Sequence, residues 1–265
     1  MFVFDASTLI LIAKTEILDS FLRDVGLHVA IPPEVEKECC SVKKSLDALM
    51  IKKALDESRI RVTAVKDRKL VTKVQGDFGL GRGEAEAIVL ALAEKGRVLG
   101  IDDKNGINAC KLVGVGFTTA SGILVRMCEK GLLTKSEALV KLEGLAKHGR
   151  YKRSILERRP AQTGDSDMTK TMSIRMDREN FEFLNELTKE QRSDLSKAVR
   201  DMVTRGRVLL GVERYKKGEA SLGRAAELAG VPVGQMMTLL TEFGVESRIE
   251  DDDYLQGLAV IRKAW

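Results

Sequence analysis

The chain has 265 residues, 44 Lys and Arg against 39 Asp and Glu for a net charge of +5, and a composition that is 44% hydrophobic but only 5% aromatic. That is enough for one large domain or two modest ones with largely aliphatic cores, and it leaves out the weakly apolar, highly charged disordered class. No apolar run approaches the roughly 20 residues that cross a bilayer, no signal-peptide pattern opens the chain, and Cys39, Cys40, Cys110 and Cys128 lack the C-x-x-C spacing of a zinc site; a cytoplasmic protein that contacts no membrane is expected.

Met1 to Phe4 reads as a buried strand, and the amphipathic stretch Leu9–Leu22 as a helix. Leu27–Ile31 is a second strand, stopped by Pro32-Pro33, with proline well placed to start the next helix. Val35, Leu46, Leu49, Met50 and Leu55 mark helical faces, and Ile60–Val65 alternates as a strand. Gln75–Gly83 is a glycine-rich loop; Glu84–Lys95 is a helix ended by Gly96. Val98–Ile101 and Gly114–Thr118 are further strands, separated by a helix over Asn105–Leu112 and followed by helices over Ser121–Lys130 and Lys135–His148. This alternation predicts an α/β domain over residues 1–159, with a parallel sheet flanked by helices.

The character changes after Arg159. Residues 160–168 form a linker. Beyond it, Thr171, Ser173 and Arg175 alternate with Met172, Ile174 and Met176 as in a short strand, and helices follow over Arg178–Lys189 and Asp194–Lys217. Residues 218–265 form a small helical unit, with two helices around Gly230 and a last segment, Asp251–Trp265, that is acidic and then apolar. Charge is unevenly shared. Residues 1–159 carry 28 Lys and Arg against 21 Asp and Glu, whereas residues 219–265 carry 4 against 8. An acidic tail can therefore dock on a basic first domain.

The acidic residues of the first domain fall where a parallel sheet gathers side chains. Asp5 ends the first strand, Glu38 follows the second, Glu84 and Glu86 open a helix, and Asp102 and Asp103 end the fourth strand. Carboxylates at the C-terminal edge of such a sheet converge on its ligand cleft. Crowded there, they repel unless cations lie between them. Hard divalent ions with oxygen ligands, Mg²⁺ or Mn²⁺, suit such a set, and metal-bound carboxylate sites carry out phosphodiester hydrolysis. Glu84 and Glu86 stand about 200° apart around a helix, so only one faces the cleft. The Gly79–Gly83 loop lacks the G-x-G-x-x-G register of a dinucleotide turn.

Phe4-Asp5-Ala6-Ser7-Thr8, Pro33-Glu34-Val35-Glu36-Lys37-Glu38, Gly81-Arg82-Gly83-Glu84-Ala85-Glu86, Ile101-Asp102-Asp103 and Gly149-Arg150-Tyr151 occur in order over the first 159 residues. In these stretches the chain resembles a PIN-domain ribonuclease toxin of the virulence-associated branch. The resemblance implies a Mg²⁺- or Mn²⁺-dependent endoribonuclease in which Asp5, Glu38, Glu86 and Asp102 are the catalytic metal ligands. Glu84 and Asp103 are the alternatives to the last two, and Ser7 orients substrate or water. Arg82, Lys104 and Arg150 are candidates for RNA phosphate contacts.

Residues 169–217 resemble a ribbon-helix-helix unit, whose strand pairs with that of a second copy. This implies a homodimer that presents Thr171, Ser173 and Arg175 to operator DNA. Residues 213–265 resemble a small antitoxin family, with Ser221–Val231 as the stretch that carries the likeness; the same stretch suits a helix-turn-helix or plain compact helical packing. A toxin and its antitoxin joined in one chain imply autoinhibition, with Arg262 or Lys263 entering the acidic cluster in place of metal. The competing readings are a DNA-binding regulator whose PIN-like domain is a non-catalytic dimerisation module, and a housekeeping RNA-processing nuclease.

Overall fold

A computed structural model describes residues 1–40, 45–93, 96–149, 175–191 and 194–265. Among them, five strands form one fully parallel sheet: β1 (Phe2–Phe4), β2 (Val29–Ile31), β3 (Ile60–Val62), β4 (Val98–Gly100) and β5 (Gly116–Thr118), in the order β3-β2-β1-β4-β5. Helices α1 (Ala6–Lys14), α2 (Leu18–Asp24), α3 (Pro33–Cys40) and α4 (Leu46–Asp56) connect the first three strands. Helices α5 (Arg68–Phe78) and α6 (Arg82–Leu92) lead to β4, and α7 (Lys104–Val113) leads to β5. Helices α8 (Ala120–Glu129) and α9 (Lys135–Gly149) complete this α/β part.

The pleat explains the two layers. Phe2 and Phe4 point to one face, onto a core built with α1, α2, α3, α4 and α8, whereas Val3 joins Ala30, Leu99 and Phe117 on the other, under α5, α6 and α7. The register Val3↔Leu99 and Phe4↔Gly100 sets the ends of β1 and β4 side by side. Strand order reverses between these two strands, and the cleft above their C-terminal ends is the natural ligand position of such a sheet.

Two local expectations are corrected. The apolar stretch Leu9–Leu22 is two helices, because the chain turns at Glu16, whose φ of +56° is left-handed. The Gln75–Gly83 loop begins as helix, since α5 runs to Phe78 and Gly79, at φ +61°, caps it.

The later residues form α10 (Arg178–Gln191), α11 (Leu195–Lys217), α12 (Leu222–Ala229), α13 (Val233–Glu242) and α14 (Asp251–Ala264). Arg175 is exposed and outside any strand, while Thr171, Ser173 and Arg150 lie outside the described residues. No described helix is long and apolar enough to cross a membrane.

The segment from α11 onward shares the core of the α/β part. Tyr215, Leu222, Met236, Leu240, Leu258 and Ile261 are buried in the same cluster as Phe2, Leu9 and Phe21. Helix α14 covers the edge strand β5 and packs on α8, so that the sheet edge is not left open for pairing with another chain. Trp265 fixes its far end. The ring meets Phe21 edge-on at 5.0 Å, and its Nε1–H donates to the Asp24 carbonyl at 3.1 Å. Lys130 lies 4.7 Å above it.

A shared core predicts one unfolding unit. Ile261→Ala, on a fully buried side chain of α14, is expected to destabilise the α/β part and the segment together by about 2–5 kcal/mol. Calorimetry should then show a single transition at a lower temperature; two transitions, of which only one shifts, would contradict the shared core.

Candidate active site

Asp5 leaves the end of β1 as the N-cap of α1. Its Oδ1 accepts from Thr8 N at 2.8 Å and its Oδ2 from the Ser7 hydroxyl at 2.5 Å. Ser7 thus orients Asp5. Asp103 leaves β4 in the same way, as the N-cap of α7, accepting from Asn105 N at 2.8 Å and Gly106 N at 3.1 Å. The two acids flank the point where the strand order reverses. Glu84, in the first turn of α6, and Glu38, in the last turn of α3, complete the cluster. Glu38 lies tight against α6, and a Cβ on Gly83 would stand 2.6 Å from its Oε1. A larger residue there would make the Glu38 carboxylate shift.

Electrostatics confirms the grouping. Burial pushes the Asp5 carboxyl up to about 6, with the Asp103 charge adding to the shift. Burial, then the charges of Asp5 and Glu34, push Glu38 up to about 8. Burial and the neighbouring Asp103 charge raise Glu84 well above the usual carboxylate range, against the pull of its hydrogen-bond donors. Asp103 is raised by burial, although Leu222 N–H and its other donors oppose this.

The expected third and fourth acids, Glu86 and Asp102, have their partners elsewhere. Glu86 points away from the cluster to Arg68, 2.5 Å from its Oε1, and to Arg82 at 3.3 Å, because its place on α6 is about 200° round from that of Glu84. Asp102 turns to the start of α8, where its Oδ2 accepts from Ala120 N at 2.8 Å.

What covers the acids is the N-terminus of α12. The Ser221 hydroxyl donates to Glu84 Oε2, Gly223 N donates to Glu84 Oε1 at 3.0 Å, and Leu222 N donates to Asp103 Oδ2 at 3.0 Å. The same hydroxyl accepts from Arg224 N and from Gly81 N, each at 3.0 Å, so all of its capacity is used. A helix N-terminus presents unpaired N–H groups and partial positive charge. Here it donates to two buried carboxyl groups, and its donors oppose the upward shift that burial gives them. The approach is close on both sides, and at Gly81 it is backbone against backbone. A Cβ on Gly81 would stand 2.7 Å from the Gly223 carbonyl carbon, and one on Gly223 would stand 3.0 Å from the Glu84 carboxyl carbon.

The basic residues are also placed differently from the expectation. Arg262 pairs with Glu129 at the far end of α14 and does not enter the cluster, while Lys263 is exposed beside it. Arg248 is the cation whose charge opposes the upward shift of Asp103, and it donates to Asn105 Oδ1 at 2.8 Å. Lys104 is already paired, with Asp253 at 2.6 Å and Glu250 at 2.9 Å. Arg82 sits at the rim. Its side chain lies 3.3 Å from Glu86, and its N–H donates to Glu227 of α12 at 2.7 Å.

The family comparison agrees with this architecture: a family model described as PIN domain (DUF3368) matches residues 1–162. The chain belongs to the PIN-domain family. A second model, described as an uncharacterised protein family (UPF0175), matches residues 185–263 behind the PIN domain, an order that fits a PIN toxin joined to an antitoxin-like region. No curated protein and no solved structure matched the chain.

PIN domains are typically metal-dependent nucleases, and the donor set of this one, four carboxylates with hard oxygens, is of the type that takes Mg²⁺ or Mn²⁺. Among the described residues, however, no three such side chains are arranged to hold one ion. Oxygens of Glu84 and of Asp103 accept hydrogen bonds from α12. The cover was the part hardest to foresee. Its signal in the sequence is a serine before a helical pattern with glycine two residues on, Ser221-Leu222-Gly223.

The raised Glu38 gives a pH test. Between its ordinary value of 4.5 and about 8, the unfolded chain loses a proton that the folded chain keeps. The Glu38 contribution to stability is therefore fullest below pH 4.5, declines as pH rises through that window, and levels off above it. Glu38→Gln is expected to flatten the fall in melting temperature between pH 5 and pH 8, by a few degrees, in EDTA. Parallel curves for variant and wild type would show that the carboxyl is not held protonated.

Proposed function

We propose that the PIN domain is a divalent-metal-dependent endoribonuclease of toxin type, and that the C-terminal segment inhibits it by laying the α12 N-terminus on Glu84 and Asp103. The observation that carries the reading is that pair of contacts. A buried acidic cluster sits at the ligand position of a PIN fold, and two of its members accept hydrogen bonds from the C-terminal segment of the same chain. Asp5, Glu38, Glu84 and Asp103 are the residues that would hold Mg²⁺ or Mn²⁺. The ion supplies a Lewis acid that stabilises charge on the phosphate oxygens and makes water a nucleophile at neutral pH.

The chain's own residues do the rest. Ser7 and Thr8 fix the Asp5 carboxylate in one rotamer. Gly83 lets Glu38 reach the cluster. The Asp103 cap on α7 holds that carboxylate at the end of β4. Withdrawal of α12 frees oxygens of Glu84 and Asp103 together, and so converts a satisfied surface into an open acidic cleft. Restored charge on these acids then demands a cation.

Gly81 offers a clean test. It has φ −69° and ψ 161°, which alanine adopts without strain, so Gly81→Ala spares the PIN domain itself. Its methyl group instead meets the backbone of Gly223. Overpacking of this kind costs about 1–3 kcal/mol, or roughly a 5- to 150-fold change in the open population. Full-length Gly81→Ala is expected to take up Mn²⁺, seen by electron paramagnetic resonance, and to cleave a mixed RNA pool at least about tenfold faster than wild type. Adding Asp5→Asn should abolish cleavage. A wild type as active as Gly81→Ala would remove the inhibition. A Gly81→Ala chain that binds Mn²⁺ yet leaves RNA intact would remove the nuclease and favour a regulator with a non-catalytic PIN domain.

A further inference from the structure

The two lysines of α7 hold a feature that the acidic cleft does not explain. Lys104 and Lys111 lie close to two turns apart and so share one face of the helix. Both reach a single carboxylate, with Lys104 Nζ 2.6 Å from Asp253 Oδ2 and Lys111 Nζ 2.6 Å from Asp253 Oδ1. The Asp253 side chain is only 1% exposed. Among the described residues, the ion pairs of these lysines are with the C-terminal segment, through Asp253 and, for Lys104, Glu250. Helix α7 carries no acidic residue of its own. Without α14, the PIN surface therefore presents two ammonium groups aimed at one point, beside Asp103.

We infer that Lys104 and Lys111 form a binding site for a backbone phosphate of single-stranded RNA, and that Asp253 fills it in the closed chain as a stand-in for that phosphate. A phosphodiester carries one negative charge over two non-bridging oxygens, as a carboxylate does, and lysine binds either as a point charge. The site's position completes the argument. Lys104 directly follows Asp103, so a phosphate held there places the RNA strand along the edge of the acidic cluster. The choice of RNA as ligand rests on the endonuclease reading above; the two-lysine site does not. The C-terminal segment thus imitates both partners of the cleft, with helix N–H groups in place of a cation and Asp253 in place of the substrate.

The test uses the full chain and a short fluorescein-labelled single-stranded RNA, with anisotropy read in EDTA across a range of KCl concentrations. Glu250→Gln with Asp253→Asn leaves the lysines unpaired. It is expected to bind the RNA about tenfold more tightly than wild type, with a steeper salt dependence equivalent to one or two added phosphate contacts, each about −0.7 in the slope for a single strand. Lys104→Gln with Lys111→Gln in the same background should return both quantities to wild-type values. Circular dichroism and the emission of Trp265, the one tryptophan of the chain, report that the fold is kept. Asp253→Ser, which retains an acceptor for the Glu250 N–H, serves if the asparagine variant does not fold. A folded variant that binds no more tightly than wild type, or a gain that survives loss of both lysines, overturns the inference. Because no cleavage occurs in EDTA, the two readings fail separately. Tight binding with a silent cleavage assay removes the nuclease and keeps the site, and cleavage by Gly81→Ala without any gain here does the reverse.

Discussion

Four carboxylates at one sheet edge cannot all carry charge in a buried place unless positive charge is supplied to them. That constraint governs the rest of this molecule. The strand order brings Asp5 and Asp103 together, and the parallel connections deliver Glu38 and Glu84 to the same edge. Burial then pushes all four carboxyls upward, and neighbouring acidic charge adds to the shift at Asp5, Glu38 and Glu84. The site is unfinished in electrostatic terms, and whatever supplies the missing positive charge controls it. In the structure the first turn of α12 donates hydrogen bonds to two of these carboxyls.

The closing segment is complementary to the cleft in sign as well as in shape. Its helix N–H groups meet acids, and its own acid, Asp253, meets the lysines of α7. Burial alone would raise the Asp253 carboxyl, yet the two ammonium groups outweigh it and hold that carboxyl below its usual range. A pair of this kind contributes modestly to net stability once desolvation is counted, but it fixes register, because any other alignment leaves a charge buried alone. Asp253 therefore sets where α14 starts on the PIN surface, while Trp265 anchors where it ends.

Much of this was legible from residue patterns. Short apolar runs alternating with helical periods gave the parallel sheet, and the acids at strand ends gave the edge on which the cluster forms. Two kinds of detail were not legible. One is orientation within a helix or at a strand end. Glu84 against Glu86, and Asp102 against Asp103, differ by a rotation that depends on the pose of α6 and on which helix each acid caps. The other is long-range partnership. Arg262 was the natural choice to neutralise acids because it is cationic, but it lies at the end of α14 remote from the cleft and finds Glu129. The actual neutralising groups are backbone N–H groups, which no residue type advertises. Only the glycines at 81 and 223 hint at the close approach.

The contact between the C-terminal segment and the PIN domain has two parts of different extent. The apolar part includes Met236, Leu240, Leu258 and Ile261, all buried in the common core; at roughly 1.5–3 kcal/mol for each large side chain, these alone exceed 5 kcal/mol. A divalent ion present at 100 times its dissociation constant contributes only about 2.7 kcal/mol toward an open form. Metal therefore does not strip the segment from the PIN domain by mass action. Access to Glu84 and Asp103 needs only a local displacement of the first turn of α12, which breaks its three hydrogen bonds to the acids and the Ser221 bonds to Gly79 and Gly81. A buried hydrogen bond is worth about 0.5–1.5 kcal/mol net, and more to a charged group, so this polar contact is comparable in energy with the apolar part but is confined to one helical turn. In the proposed inhibition, the apolar contacts hold the segment in place, and the polar contacts of the first α12 turn are what cover Glu84 and Asp103.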